Sequence, residues 1–347
     1  MKKVLIGLTA LSIHFLVLEI ALRLVLLGFA QGFFSPYAGL LTKRYPELIP
    51  IFSQNPDREN NVKKILILGG SVVSTNWSQL EQRLDTMLLP HFPPGTRIRV
   101  MNAAAPANTS LDNLIKYKAL QGYHFDLVIF YEAINETRFN NIPHNLFKND
   151  YTHVRWYQGL SLILAHPELK YTVLPYTLHF IYNKLKDYYI KPPQLSLEGV
   201  PPDYLIYGSL IKTAIPYRNN VNELIRTVKD RKQQILLMSY ASFFPKGVEL
   251  QGKNVDSTYF GDCTYHSSIS LWGAPDNVEK GIRVHNKQLM DLVAQNKVEF
   301  LDMATLMPKR KQYFCDVCHL SPGRGEGAQY FATLIKDHIL SHRLLVR

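Results

Sequence analysis

Lys63-Lys64-Ile65-Leu66-Ile67-Leu68-Gly69-Gly70-Ser71 is an apolar run stopped by two glycines and a serine. Its apolar residues are consecutive rather than alternating, so both faces of the strand they predict must be covered. Strands of that kind belong to parallel sheets packed between helices. The same signature returns in Arg97–Asn102 (RIRVMN), Phe125–Ala133 (FDLVIFYEA), Gln233–Ala241 (QQILLMSYA) and Val298–Ala304 (VEFLDMA). Amphipathic stretches lie between these runs at Ser78–Leu89, Leu111–Gln121, Asn219–Lys232 and Lys280–Asn296. Such alternation predicts an α/β domain, a three-layer doubly wound sheet of about five parallel strands.

That domain occupies residues 63–347, and two segments depart from its rhythm. The interval 143–207, rich in Tyr, Leu, His and Pro, reads as a mostly helical insertion after the third strand. Pro167, Glu168, Lys170 and Pro175 argue against a membrane crossing there and favour a lid or membrane-facing cap. At the other end, Met1-Lys2-Lys3 precedes an almost unbroken apolar run to about Ala30. A secretory h-region spans roughly 7–15 residues and a crossing helix about 20, so residues 1–30 read as a transmembrane anchor. Lys2 and Lys3 favour a cytoplasmic N-terminus, which places everything beyond a connector at 31–62 outside the inner membrane, in the periplasm. Glu19 and Arg23 interrupt the run at i,i+4 spacing and share one helix face, where they can neutralise each other.

The 347 residues carry 39 basic and 28 acidic side chains, a formal charge of +11. This excess is spread thinly over solvated helix faces and loops. It suits anionic lipid headgroups better than nucleic acid, for which no binding motif is present. Three cysteines are few for an exported chain. Cys315 and Cys318 could pair, or one of them could reach Cys263, with one thiol left over. Asn76-Trp-Ser, Asn108-Thr-Ser and Asn135-Glu-Thr match the glycosylation pattern but lie beside the candidate site loops, and read as chance matches.

In open α/β sheets, ligands bind beyond the carboxyl ends of the strands. Gly69-Gly70-Ser71 follows the first strand, and Asn102–Ser110 (NAAAPANTS) follows the second. Tyr131-Glu-Ala-Ile-Asn135-Glu136 follows the third, and Asp316-Val-Cys-His319-Leu-Ser-Pro-Gly323 comes after the fifth. Each has an ordinary explanation as a turn or a cap. Together they bring a serine, an amide, a carboxylate and an imidazole to one rim.

The segments ILILGGS, NAAAPANTS, YEAINE and DVCHLSPGRGEGAQYFATLI, in that order, resemble the four sequence blocks of SGNH (GDSL-like) hydrolases over roughly Lys63 to Ile335, less the insertion. The N-terminal LEIALRL looks like the membrane-tethered bacterial members. The resemblance implies an SGNH, flavodoxin-like sheet and a serine esterase or O-acyl transferase. Its substrate would be an acylated glycan or lipid of the cell envelope, and it would need no metal or organic cofactor. It implies Ser71 as nucleophile, His319 as base and Asp316 as its orienting carboxylate. The oxyanion hole would comprise the Ser71 N–H, the Ala107 N–H and the Asn135 amide. Gly70 stands where the family often has Asp, and Ala107 and Ala133 where it usually has Gly. An N–H survives Gly→Ala at negative φ, whereas a positive φ would strain the alanine.

Two other readings start from the same residues. A catalytically silent binding or assembly module could keep the fold. Cys315-Asp-Val-Cys318-His319 is also C-x-x-C-H, the c-type haem attachment pattern. Haem would need both thiols and would take His319 as a ligand. A zinc site is not expected, since no second Cys or His pair at ligand spacing is apparent.

Overall fold

In a computed structural model, the described residues are 2–28, 41–158, 160, 172–189, 195, 200–246, 272–321 and 326–345. The longer elements, in chain order, begin with helix α1 (Lys2–Gly28), strand β1 (Val62–Gly69) and helix α2 (Leu80–Leu88). Strand β2 (Arg97–Asn102), helix α3 (Ser110–Ala119) and strand β3 (Leu127–Tyr131) follow. Then come helices α4 (Leu174–Tyr189) and α5 (Ala214–Asp230), strand β4 (Gln234–Met238), helix α6 (Pro275–Asn296), strand β5 (Glu299–Leu301) and helix α7 (Glu326–Ser341).

The five strands form one parallel sheet in the order β2-β1-β3-β4-β5, the architecture expected from the apolar runs. Ile65, Ile67, Leu127, Ile129, Leu236 and Met238 join one core with Leu80, Leu84 and Leu88 of α2 and Phe331, Ile335 and Ile339 of α7. Leu66, Leu68, Val128, Phe130 and Leu237, the intervening residues, are also fully buried. Helices α3, α5 and α6 pack together as a second layer, with α3 against β1 and α5 against β4. Burial on both faces is why these strands read as unbroken apolar runs.

Element ends differ from the sequence reading where local chemistry intervenes. Helix α6 begins at Pro275, earlier than its periodicity suggests, because proline is preorganised for a helix's first turn. Strand β5 ends at Leu301 because Asp302 caps the next short helix, its carboxylate accepting from the Thr305 N–H. Lys64 lies inside β1 and is buried. Its ammonium reaches back to the Asn55 and Asp57 carbonyls and lies 3.0 Å from Glu59 Oε1. Lys116 of α3 is also buried, donating at 2.5 Å to the Ala103 carbonyl and pairing at 2.5 Å with Glu47.

The chain divides into two compact units, Met1–Pro46 with Asp150–Ser196, and Glu47–Asn149 with Leu197–Arg347. The second holds the sheet. Within the first, residues Lys2–Val25 of α1 have a mean hydropathy of 2.1, long and apolar enough to cross a membrane. Arg23 Nε donates to Glu19 Oε1 at 2.8 Å, the pairing expected from the i,i+4 spacing. The Glu19 carboxylate also accepts the Val173 and Leu174 N–H groups at 2.8–2.9 Å, closing the N-terminus of α4. An anion there satisfies donors that a helix start leaves open. The insertion reading at 143–207 is only partly covered by described residues, and α4 is its long described helix.

Below the end of β3, buried His285 of α6 touches the Ala133 carbonyl through Nδ1 at 3.1 Å and Thr213 Oγ1 through Nε2 at 2.9 Å. Burial depresses its pKa to about 3, although the Ala133 carbonyl opposes the shift. A base depressed on folding contributes its full stability above the unfolded pKa near 6.5 and loses it as pH falls towards 3. Denaturant unfolding should therefore show about 2 kcal/mol less stability at pH 5 than at pH 7 from this group. His285→Gln should flatten that part of the profile.

Candidate active site

Ser71 begins a short 3-10 turn directly after β1. The turn starts where it does because Gly69 and Gly70 are pressed against the end of β3. A Cβ on Gly69 would meet Val73 and the Tyr131 carbonyl, and one on Gly70 would meet Glu132 and Asn135. Inside the turn, the Ser71 carbonyl accepts from both Ser74 N–H (3.0 Å) and Ser74 Oγ–H (2.7 Å), which fixes its geometry.

His319 arrives from the loop between β5 and α7. Its Nε2 lies 2.7 Å from Ser71 Oγ, and its Nδ1 lies 2.7 Å from Asp316 Oδ2. The other Asp316 oxygen accepts the backbone N–H groups of His319 (2.7 Å) and Cys318 (2.8 Å). Asp316 thus fastens its own loop and the imidazole together. Burial alone would push its carboxyl up, but His319 and these amides outweigh that and hold it below the usual carboxylate value. With Nδ1–H donating to Asp316, Nε2 is left to accept from the Ser71 hydroxyl. Asp316 and His319 are 0% and 1% exposed and Ser71 is 8%, so Ser71 is the member of the three that solvent reaches best.

Trp77 lies over His319 with ring centroids 3.9 Å apart, and its Nε1–H donates to the Leu320 carbonyl at 3.1 Å. The Trp272 ring centroid lies 6.2 Å from that of the imidazole. Neither tryptophan stood out in the sequence. The available signal was the position of Trp77, six residues after Ser71.

The third-strand loop braces the second. Asn135 Nδ2 donates to the Asn108 carbonyl at 2.9 Å and to Glu132 Oε2 at 3.1 Å, while Asn135 N–H donates to Glu132 Oε1 at 2.8 Å. Arg138 Nη2 donates to the Ala107 carbonyl at 2.6 Å, and Glu136 Oε1 accepts the Ser110 N–H at 2.6 Å. Burial drives the Glu132 carboxyl well above the usual range. Glu132 and Arg138 were not singled out from the sequence, and their role becomes visible only once the loops are adjacent. Both Asn135 amide hydrogens are engaged here, so Asn135 ties two loops together. Among the hydrogen bonds of the described residues, none uses the N–H of Ser71 or of Ala107.

Ala107 has φ of +66°, the strained alternative for an alanine at this position. Ala133, at φ −161°, lies outside the left-handed region and carries no such strain. The cysteines also resolve. Cys315 is disulfide-bonded and Cys318 is a free, buried thiol, which excludes a bond between them. Cys263, the third cysteine considered for pairing, lies outside the described residues. The haem reading is corrected by the same observation, because C-x-x-C-H attachment needs two thiols and this segment offers one. His319 has both ring nitrogens committed as well.

No protein-family model and no characterised protein sequence matches this chain. Similar solved structures include a lipase/acylhydrolase from Enterococcus faecalis, at 12% identity over 81% of this chain and 96% of that one, TM-score 0.41. A GDSL-like lipase from Bacteroides thetaiotaomicron is similar at 13% identity, over 89% and 99%, TM-score 0.44. An acetyl xylan esterase from Geobacillus stearothermophilus is similar at 14% identity, over 80% and 94%, TM-score 0.42.

The left-handed alanine generates a prediction. An L-residue there costs roughly 1–2 kcal/mol, and the extra unfolded-state entropy of glycine returns about 0.5–1 of it. Ala107→Gly should therefore raise stability by about 0.5–1 kcal/mol in equilibrium unfolding. A destabilised variant would mean that the Ala107 methyl makes contacts worth more than the strain.

Proposed function

We propose that this chain is a membrane-anchored, extracytoplasmic serine esterase or O-acyl transferase of the SGNH type, acting on an acylated cell-envelope glycan or lipid. The observation that carries this reading is the continuous path Ser71 Oγ to His319 Nε2, then His319 Nδ1 to Asp316, with 2.7 Å at both contacts. Ser71 Oγ attacks the ester carbonyl and gives its proton to His319, and Asp316 stabilises the imidazolium. The unengaged N–H groups of Ser71 and Ala107 receive the oxyanion, assisted by Asn135 when one of its amide hydrogens is shared with the substrate oxygen. His319 then protonates the leaving alkoxide. A water, or an acceptor hydroxyl in the transferase case, takes the acyl group from Ser71.

Location is part of the same proposal. The apolar α1 after Lys2 and Lys3 supports a single inner-membrane crossing with the N-terminus in the cytoplasm. A disulfide at Cys315 suits an oxidising compartment on the far side. Helix α4 exposes Leu178, Phe180, Ile181 and Leu185, and Glu19 of α1 caps its start. Those features support α4 lying against the outer lipid interface, the region from which an acylated substrate would come.

A fluorophosphonate probe tests the nucleophile on the full chain in detergent. Labelling should map to Ser71 and vanish in Ser71→Ala. With a p-nitrophenyl ester, Ser71→Ala and His319→Ala should each remove nearly all turnover, and the double variant should be scarcely worse than either. A folded Ser71→Ala protein that keeps most of its activity would refute the assignment. For location, a C-terminal alkaline phosphatase fusion should be active and remain with carbonate-washed membranes. An inactive fusion would place the domain in the cytoplasm.

A further inference from the structure

At the β5 edge of the sheet, three side chains converge that the reaction above does not use. Glu299 opens β5 at the sheet edge, and His338 and His342 sit in and just after the last turn of α7, at the i,i+4 spacing that stacks two side chains on one helix face. One potential ligand atom from each lies within 4.8 Å of the others. The register places Glu299 level with Leu236, Ile129 and Ile67, short of the strand ends where Ser71 turns out, and β5 lies three strands across the sheet from β1. Helix α7, 16 residues and about 24 Å long, runs from the His319 loop to the end that carries the two histidines.

Several details distinguish this cluster from a chance ion pair. The His338 side chain is 10% exposed, and its Nε2 is buried without a hydrogen-bond partner, facing Glu299 Oε2 at 3.6 Å. The two imidazoles stack at 4.0 Å, an arrangement unsuited to two positive charges. His342 Nδ1 lies 3.1 Å from the His338 carbonyl oxygen and 3.1 Å from Ser341 Oγ. A ring N–H donated to a backbone carbonyl is how ligating histidines are oriented, and it leaves His342 Nε2 as the free nitrogen.

We propose that Glu299, His338 and His342 form a binding site for a divalent transition-metal ion of the zinc class. Two imidazole nitrogens and a carboxylate oxygen are the donors such an ion takes, with water completing a tetrahedron. Zinc–nitrogen bonds of about 2.0–2.1 Å require the donors to draw together slightly. His342 is exposed and Glu299 is at the surface, so both can do so while His338 stays fixed. The ion would bind the end of α7 to the edge strand β5. His338-x3-His342 is a histidine pair at ligand spacing, remote in sequence from the Cys315–His319 segment.

The test uses full-length protein in detergent, purified without a polyhistidine tag, stripped with a chelator and titrated with Zn²⁺ against a chromophoric competitor. One ion should bind per chain and raise the thermal midpoint, since it binds only the folded arrangement. His342→Ala and Glu299→Gln should each weaken binding at least about tenfold, given that losing even an outer partner of a ligand typically costs that much. Both positions are solvent-accessible, so the metal-free variants should melt close to the wild type. Zinc that binds wild type and His342→Ala alike, or fails to bind wild type, would overturn the site.

Discussion

The arrangement of the candidate site depends on a close approach that only glycine allows. Gly69 and Gly70 let the end of β1 run against the Tyr131 carbonyl and the side chains of Glu132 and Asn135. A methyl group at either position would push β1 and β3 apart at the rim where Ser71 turns out. The serine is presented by that contact, and the third-strand loop is held by it. Because Asn135 and Arg138 in turn hold the carbonyls of Asn108 and Ala107, the second-strand loop inherits its place from the same glycines.

The second organising element is a single carboxylate. Asp316 is fully buried, yet its two oxygens take one imidazole N–H and two backbone N–H groups. A buried charge is tolerable when its lone pairs are met this way, and here the compensation also shapes the loop that carries His319. Trp77 covers one face of that imidazole, so the ring is confined by packing as well as by hydrogen bonds. Buried charge is used similarly behind the site. Lys116 joins Glu47 to the Ala103 carbonyl, supporting the second-strand loop from below. Removing one member of such a pair leaves an uncompensated ion, which is why these contacts specify geometry more than they add net stability.

Much of the fold was legible because parallel strands covered on both faces must be apolar throughout, and that pattern survives in local sequence. The five runs beginning near Lys63, Arg97, Phe125, Gln233 and Val298 all became strands of one sheet, with their ends trimmed by caps such as Asp302. The positions of Ser71, Asn135, Asp316 and His319 at one rim follow from the same logic, since each comes after a strand end. Lys64 and Lys116 were not legible as buried groups, because a lysine's partners can come from anywhere in the chain.

By itself, then, the sequence determined the strand-helix alternation, the apolar N-terminal helix, the Glu19–Arg23 pair and which residues lie beyond the strand ends. These are encoded by periodicity and spacing within a few residues. Only the tertiary structure decided that Ala107 is left-handed, that Cys318 stays a free thiol and that Trp77 covers His319. It likewise brought Glu299, 39 residues before His338, beside the last turn of α7. Each of those depends on segments distant in the chain meeting at atomic contact. Such meetings are set by packing across the whole sheet, and no local pattern records them.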